Sequence, residues 1–155
     1  MTDTPTVPAP TVAMTPGRYM RLRREAAGLT IQHIAIVLVP ASRRHADDDR
    51  AGVRRKMALL ETDQLQGAAQ IGLIDQLRSV FSFSDAVYWL LVGRAADPES
   101  EVPIPQICRG CGCTWTDACQ DGTHGCAWSP GDPNLCTVCA RKAPANDVGK
   151  AGHAA

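Results

Sequence analysis

The first 107 residues of this chain contain no cysteine. Metal-thiolate chemistry and disulfide stapling are therefore excluded from all of it except the C-terminal part. Charge excess is also missing: 16 basic residues face 16 acidic ones, so no global field marks a nucleic-acid partner. No long apolar run occurs. The longest, Ile34 to Val39, is far too short to span a bilayer. A secretory leader is not visible either, because the first fifteen residues hold no basic residue and no apolar stretch. The chain reads as cytoplasmic, without a membrane partner, in a compartment where thiols stay reduced.

Catalytic constellations are lacking as well. His33 falls inside an expected helix, His45 in a charged stretch and His153 near the C-terminus, and none has a motif partner. Asp47, Asp48 and Asp49 form a run without a companion ligand set and read as a solvated loop. With no nucleophile and base, no carboxylate pair and no open metal position, the expectation is a binding protein and not an enzyme.

What is present is unevenly placed. Between Thr15 and Leu60 lie Arg18, Arg21, Arg23, Arg24, Arg43, Arg44, Arg50, Arg54, Arg55 and Lys56, against Glu25 and the three aspartates. All seven cysteines lie between Cys108 and Cys139. A segment this small and cysteine-dense is held together by something other than hydrophobic burial.

Residues 1–15, rich in Thr and Pro, read as a disordered arm. A helix is expected from Gly17, with Tyr19, Leu22, Ala26 and Leu29 on one face and Gly28 as its C-terminal glycine. Thr30 is placed to cap a second helix, Ile31 to about Leu38, which Pro40 stops. Residues 41–49 read as a loop. A third helix is expected from about Arg50, with Val53, Met57 and Leu60 inward. A fourth from Gly67 carries Ile71, Ile74, Leu77 and Val80 as its stripe. A fifth runs from Asp85 to about Val92, capped by Ser84 and ended by Gly93. Five short helices without a convincing strand make an all-α bundle over residues 16–94. Residues 95–106, with Pro98, Pro103 and Pro105, read as a linker that transmits few contacts, so the helical half should stay folded without the rest. Residues 107–142 form a loop-rich cysteine module, and 143–155 a disordered tail.

The cysteine order is Cys108-x2-Cys111-x-Cys113-x5-Cys119-x6-Cys126-x9-Cys136-x2-Cys139. The outer two pairs are both C-x-x-C. Two such pairs on tight turns can place four thiolates at about 2.3 Å from one Zn2+, with Gly110 and Gly112 giving room around Cys111. Cys108, Cys111, Cys136 and Cys139 are therefore the expected closed, structural zinc site. Cys113, Cys119 and Cys126 with His124 offer a second site, or else Cys119 and Cys126 are buried small residues. An iron–sulfur cluster is the alternative cofactor, since C-x-x-C-x-C can ligate one. Trp115 and Trp128 are the expected miniature core of the module.

Three stretches carry a family resemblance: "RLRREAAGLT" (residues 21–30), "KMALLETDQ" (56–64) and "IGLIDQLRSVFSFSDAVYWLLVGR" (71–94). In that order they resemble the lambda-repressor-like (XRE-type) helix-turn-helix family, with Glu61 at the usual acidic position. The cysteine segment resembles a module of uncharacterised bacterial and prophage proteins. The first resemblance implies a bacterial or phage DNA-binding transcriptional regulator, working as a homodimer on two-fold double-stranded DNA sites. Arg50, Arg54, Arg55 and Lys56 would lie on the recognition helix, with Arg21 and Arg24 flanking the backbone. The family joins its second and third helices by a tight turn, whereas Val39 to Asp49 intervenes here. The alternative is an interaction adaptor that has kept the fold and lost DNA. The zinc module is the candidate docking point for a protein partner.

Overall fold

The computed structural model describes residues 13–121 and 124–142. The sequence-expected arm lies outside them up to residue 12, and the expected tail lies outside them entirely.

Helix α1 (Pro16–Ala26) begins where Thr15 takes the Arg18 amide on its Oγ1 at 3.2 Å, with Pro16 supplying a preset φ. Residues 13–15 are thus not all arm: Met14 packs on the core and Thr15 caps. Gly28, at φ +71°, ends α1, donating to Glu25 O while Leu29 donates to Arg24 O. Helix α2 (Ile31–Leu38) opens on a reciprocal cap in which Thr30 Oγ1 accepts from His33 N–H and His33 Nδ1 accepts from Thr30 N–H. His33 therefore has a local structural job.

Helix α3 (Ala46–Glu61) starts four residues before its expected origin. Asp47, Asp48 and Asp49 form its first turn, where carboxylates oppose the positive end of the helix dipole. The connection from α2 shortens accordingly to Val39–His45. Arg50 closes it by donating from Nε to Val39 O at 2.9 Å. Helix α4 (Gly67–Leu77) and helix α5 (Asp85–Ala96) complete the bundle. Ser84 caps α5 as expected, but Gly93 lies inside that helix, which continues to Ala96.

Tyr19, Met20, Ile34, Met57, Leu60, Ile74, Leu77 and Tyr88 are fully or almost fully buried and form the centre. Two expected stripes shift. On α1 the buried face is Tyr19, Met20, Arg23 and Arg24, while Ala26 is exposed. On α4 it is Leu73, Ile74 and Leu77, while Ile71 is exposed. Gly17 lets α1 touch α3: a Cβ there would lie 2.5 Å from Leu60 O and 2.7 Å from the Glu61 carbonyl carbon.

Residues 97–107 carry no helix or strand, yet Ile104 and Ile107 pack on the helical core. Beyond them the chain forms a two-residue antiparallel pair, β1 (Gln120–Asp121) with β2 (His124–Gly125), and a short helix α6 (Thr137–Lys142). The described protein is thus mostly helical, with its cysteines gathered at one end. Among the described residues no helix is long and apolar enough to cross a membrane.

Candidate metal centre and candidate nucleic-acid face

The cysteine segment folds as two turns brought face to face. In the first, Gly112 N–H donates to Cys108 O at 2.8 Å and Cys108 N–H to Cys113 O at 2.9 Å, with Gly112 at φ +73°. This tight loop needs glycine at 112, the left-handed position. The second turn is set by Asp132, whose Oδ1 accepts from Asn134 N–H, and by the Arg109–Asp132 ion pair. Arg109 N–H donates to Asn134 O, which joins the two turns. Cys136 immediately precedes α6, its N–H aimed at Cys108 Sγ, 3.3 Å away.

All seven thiols are free, and they form the centre of the segment. Two overlapping quartets have every Sγ within 4.8 Å of the others: Cys108, Cys111, Cys113 and Cys136, and Cys113, Cys119, Cys126 and Cys136. Close pairs are Cys111–Cys136 at 3.8 Å, Cys119–Cys136 at 3.6 Å and Cys113–Cys126 at 3.5 Å. Four thiolates at about 2.3 Å from one ion stand about 3.8 Å apart, so each quartet can hold a metal ion.

This arrangement differs from the expected pairing. Cys108, Cys111 and Cys136 do come together, but Cys113 completes their quartet in place of Cys139. Cys139 instead directs its N–H to Cys136 Sγ at 3.5 Å and packs over Gly110. His124, on the exposed β2, joins neither quartet. Cys119 and Cys126 are quartet members, not buried fillers. The miniature core is made by the cysteines with Trp128, Leu135 and Val138, while Trp115 is 80% exposed. The C-x-C of Cys111 and Cys113 was the sequence signal for the role of Cys113.

Thiol acidity divides within the cluster. Bonds from the Cys111 and Cys113 thiols hold Cys108 far below the usual range, aided by the Cys136 and Gly110 amides. Cys136 is lowered despite its burial, because the Cys139 amide and the Cys119 thiol donate to it. Cys113 is raised because it serves as donor to Cys108 and Cys111, and burial adds to this. Burial pushes up Cys119 and Cys139. A metal ion would take these sulfurs as thiolates, so its binding would release protons.

The basic residues expected to meet DNA are placed unequally. Arg24 is buried and forms a two-pronged bond with Glu61, Nε to Oε1 at 2.6 Å and Nη2 to Oε2 at 2.9 Å, while Nη1 donates to Leu29 O. The carboxylate of Glu61 raises its pKa further. Arg24 ties α1 to α3 and is not a backbone-flanking cation. Arg50 is committed to Val39 O. Arg54 bonds Gln32 Oε1 at 3.0 Å. Arg21 is exposed and pairs with Glu25 one turn on. Arg55 and Lys56 are exposed on α3. The α2–α3 connection adds exposed Arg43 and Arg44.

Comparison with protein-family models, with curated proteins and with solved structures finds no match.

Proposed function

We propose that this protein is a double-stranded-DNA-binding regulator of the helix-turn-helix type, carrying a structural zinc module and acting in a reducing, cytoplasmic setting. The observation that carries the DNA reading is the solvent face of α3. Met57 and Leu60 turn inward, while Arg55 and Lys56 are exposed; Arg43, paired with Asp49, and Arg44 of the preceding connection are exposed as well. Arginine reads guanine edges, and both cation types neutralise phosphate. The start of α3 at Ala46 places these cations in mid-helix, so contact is made by the side of the helix and not by its first turn. A homodimer on half-sites about one helical turn apart follows from the family resemblance.

Zinc is favoured over an iron–sulfur cluster by the spacing of the sulfurs. A cluster interposes iron and sulfide between its cysteines, whereas these thiols stand at single-ion separation. A site closed by four thiolates is structural in character.

A second reading, an adaptor that engages a protein, is favoured by two observations. Asp47, Asp48 and Asp49 occupy the end of α3 that the family directs into the groove, where they repel phosphate. Ile36 and Val37 of α2 are 46% and 59% exposed, an apolar patch suited to a protein surface. Selection from random duplexes followed by anisotropy titration over a salt series separates the two. A steep loss of affinity with salt supports DNA. No salt-dependent affinity for any duplex replaces it with the adaptor.

A further inference from the structure

We propose that the cysteine segment holds two metal ions as one dinuclear thiolate cluster, with Cys113 and Cys136 bridging both ions. Cys108 and Cys111 are the terminal ligands of one ion, and Cys119 and Cys126 those of the other. The proposal rests on the reading that these thiols bind metal at all, and it specifies how.

Two separate four-thiolate sites need eight cysteines, and the chain has seven. His124, the eighth donor offered by the sequence, joins neither quartet. With sulfur as the only ligand, seven cysteines complete two tetrahedral ions only by sharing. The structure has the shared pair: Cys113 and Cys136 are members of both quartets, and the other four members divide two and two. Two tetrahedra with a common edge have this composition, four terminal sulfurs and two bridging ones.

Position in the fold agrees. Cys113 and Cys136 are each 1% exposed, at the middle of the segment. Cys119 and Cys126 lie on its more open side and are joined by a backbone bond, Cys126 N–H to Cys119 O at 2.8 Å. That bond holds two ligands of one ion on adjacent strands of chain. Cys108 and Cys111 are held on the first turn. Cys136 Sγ accepts from the Cys139 N–H, and the Cys136 N–H donates to Cys108 Sγ. A bridging thiolate is so placed that both ions reach it. Cys111 and Cys119, terminal on different ions in this assignment, stand 3.9 Å apart, so the assignment requires them to separate when both ions load.

Cys139 belongs to neither quartet, although its thiol lies close to those of Cys111 and Cys136, and this separates the assignment from a site built of two C-x-x-C pairs. Its sulfur packs against Gly110, and its amide supports Cys136.

The test uses the full-length chain loaded with Zn2+ or with 113Cd2+. Native mass spectrometry should show two ions bound per chain. The two 113Cd resonances should show cadmium–cadmium coupling, which passes only through a shared thiolate. Cys139→Ala should keep both ions, whereas Cys136→Ala should lose both together. Should Cys136→Ala fail to fold, stoichiometry and coupling on the unaltered chain still decide. No bound ion overturns the metal reading itself. One ion, or two ions without coupling, leaves that reading standing and overturns the dinuclear cluster. Loss of one ion in Cys139→Ala also overturns the assignment.

Discussion

Arg23 of α1 meets Asp117 of the cysteine segment, Nη2 to Oδ2 at 2.9 Å, with both side chains largely withdrawn from water. The same guanidinium donates from Nε to Ser82 O, and Ser82 Oγ donates to Asp117 Oδ1. Gly112 packs against the stem of Arg23, where an added Cβ would lie 3.1 Å from its Cδ. One arginine thus joins α1, the α4–α5 connection and the loop that carries Cys111 and Cys113. We predict that Asp117→Ala costs about 2 kcal/mol, the scale of a hydrogen bond to a charged group. Urea unfolding followed by circular dichroism reads it. An unchanged midpoint would show that Arg23 is satisfied without Asp117.

Metal removal should act locally first. The helices have their own core, so chelation should leave most helical circular dichroism intact. Amide exchange should rise across 107–121 and 124–142, as expected of a small segment whose folding free energy would come mainly from a bound ion. It should also rise near Arg23, through the contact just described. Collapse of the whole helical signal would show that the bundle depends on the cysteine segment. Unchanged exchange near Arg23 would show that the two parts are uncoupled.

Arg24 and Arg55 should separate stability from binding. Arg24→Ala strands the Glu61 carboxylate in a buried place, a loss of about 3–5 kcal/mol for a broken buried pair. Replacing both partners, Arg24→Met with Glu61→Leu, should recover much of it. Arg55→Ala should leave the midpoint unchanged within about 0.5 kcal/mol, as exposed substitutions do. On a selected duplex it should weaken binding by about 1–3 kcal/mol. Weaker binding by the refolded Arg24/Glu61 double variant, at full stability, would return Arg24 to the interface.

Gly17→Ala tests the α1–α3 approach. Its Cβ would meet the main chain at Leu60 and Glu61, which cannot rotate aside. The Gly17 amide is also held by Asp63 Oδ1 at 2.6 Å. Overpacking of this kind costs about 1–3 kcal/mol. A melting temperature equal to that of the unaltered chain would rule the contact out as a constraint.

Tyr19 predicts an alkaline limit. Burial pushes its pKa up to about 12, while the bond with Ser84, the nearby Arg23 charge and smaller effects act around it. The folded value lies above the unfolded value, so the neutral phenol's contribution is complete below pH 10. It is lost as pH rises from 10 through 12, about 3 kcal/mol for two pKa units. Urea midpoints at pH 8, 10 and 11 should fall, and Tyr19→Phe should flatten that fall. The same slope in Tyr19→Phe would assign it to other groups.

Much of the helical half is legible from short-range chemistry. Thr30, Ser84 and Gly28 announce helix ends through bonds made within three or four residues. The start of α3 was obscured because Asp47–Asp49 lack an apolar stripe; at a first turn, the helix dipole and not a stripe decides their conformation. Gly93 is tolerated inside α5, where nothing lies within 4 Å of an added Cβ. Arg24 looked like a surface cation because its partner lies 37 residues away. The same distance problem governs the cysteines. C-x-x-C spacing reports which sulfurs share a turn, while the quartets depend on how two turns face each other across Cys136. Trp115 and Asp117 lie two residues apart within one loop. One projects into solvent and the other into Arg23, and no local pattern distinguishes them.

The double membership of Cys136 also sets an order in time. It is the sixth of the seven cysteines along the chain and belongs to both quartets. As the polypeptide leaves the ribosome, the bundle from α1 to α5 has all of its residues before the first cysteine is made. Neither thiol quartet is complete until Cys136 follows, 28 residues after Cys108. Through that interval the earlier thiols have no finished quartet to join, and one late residue completes both.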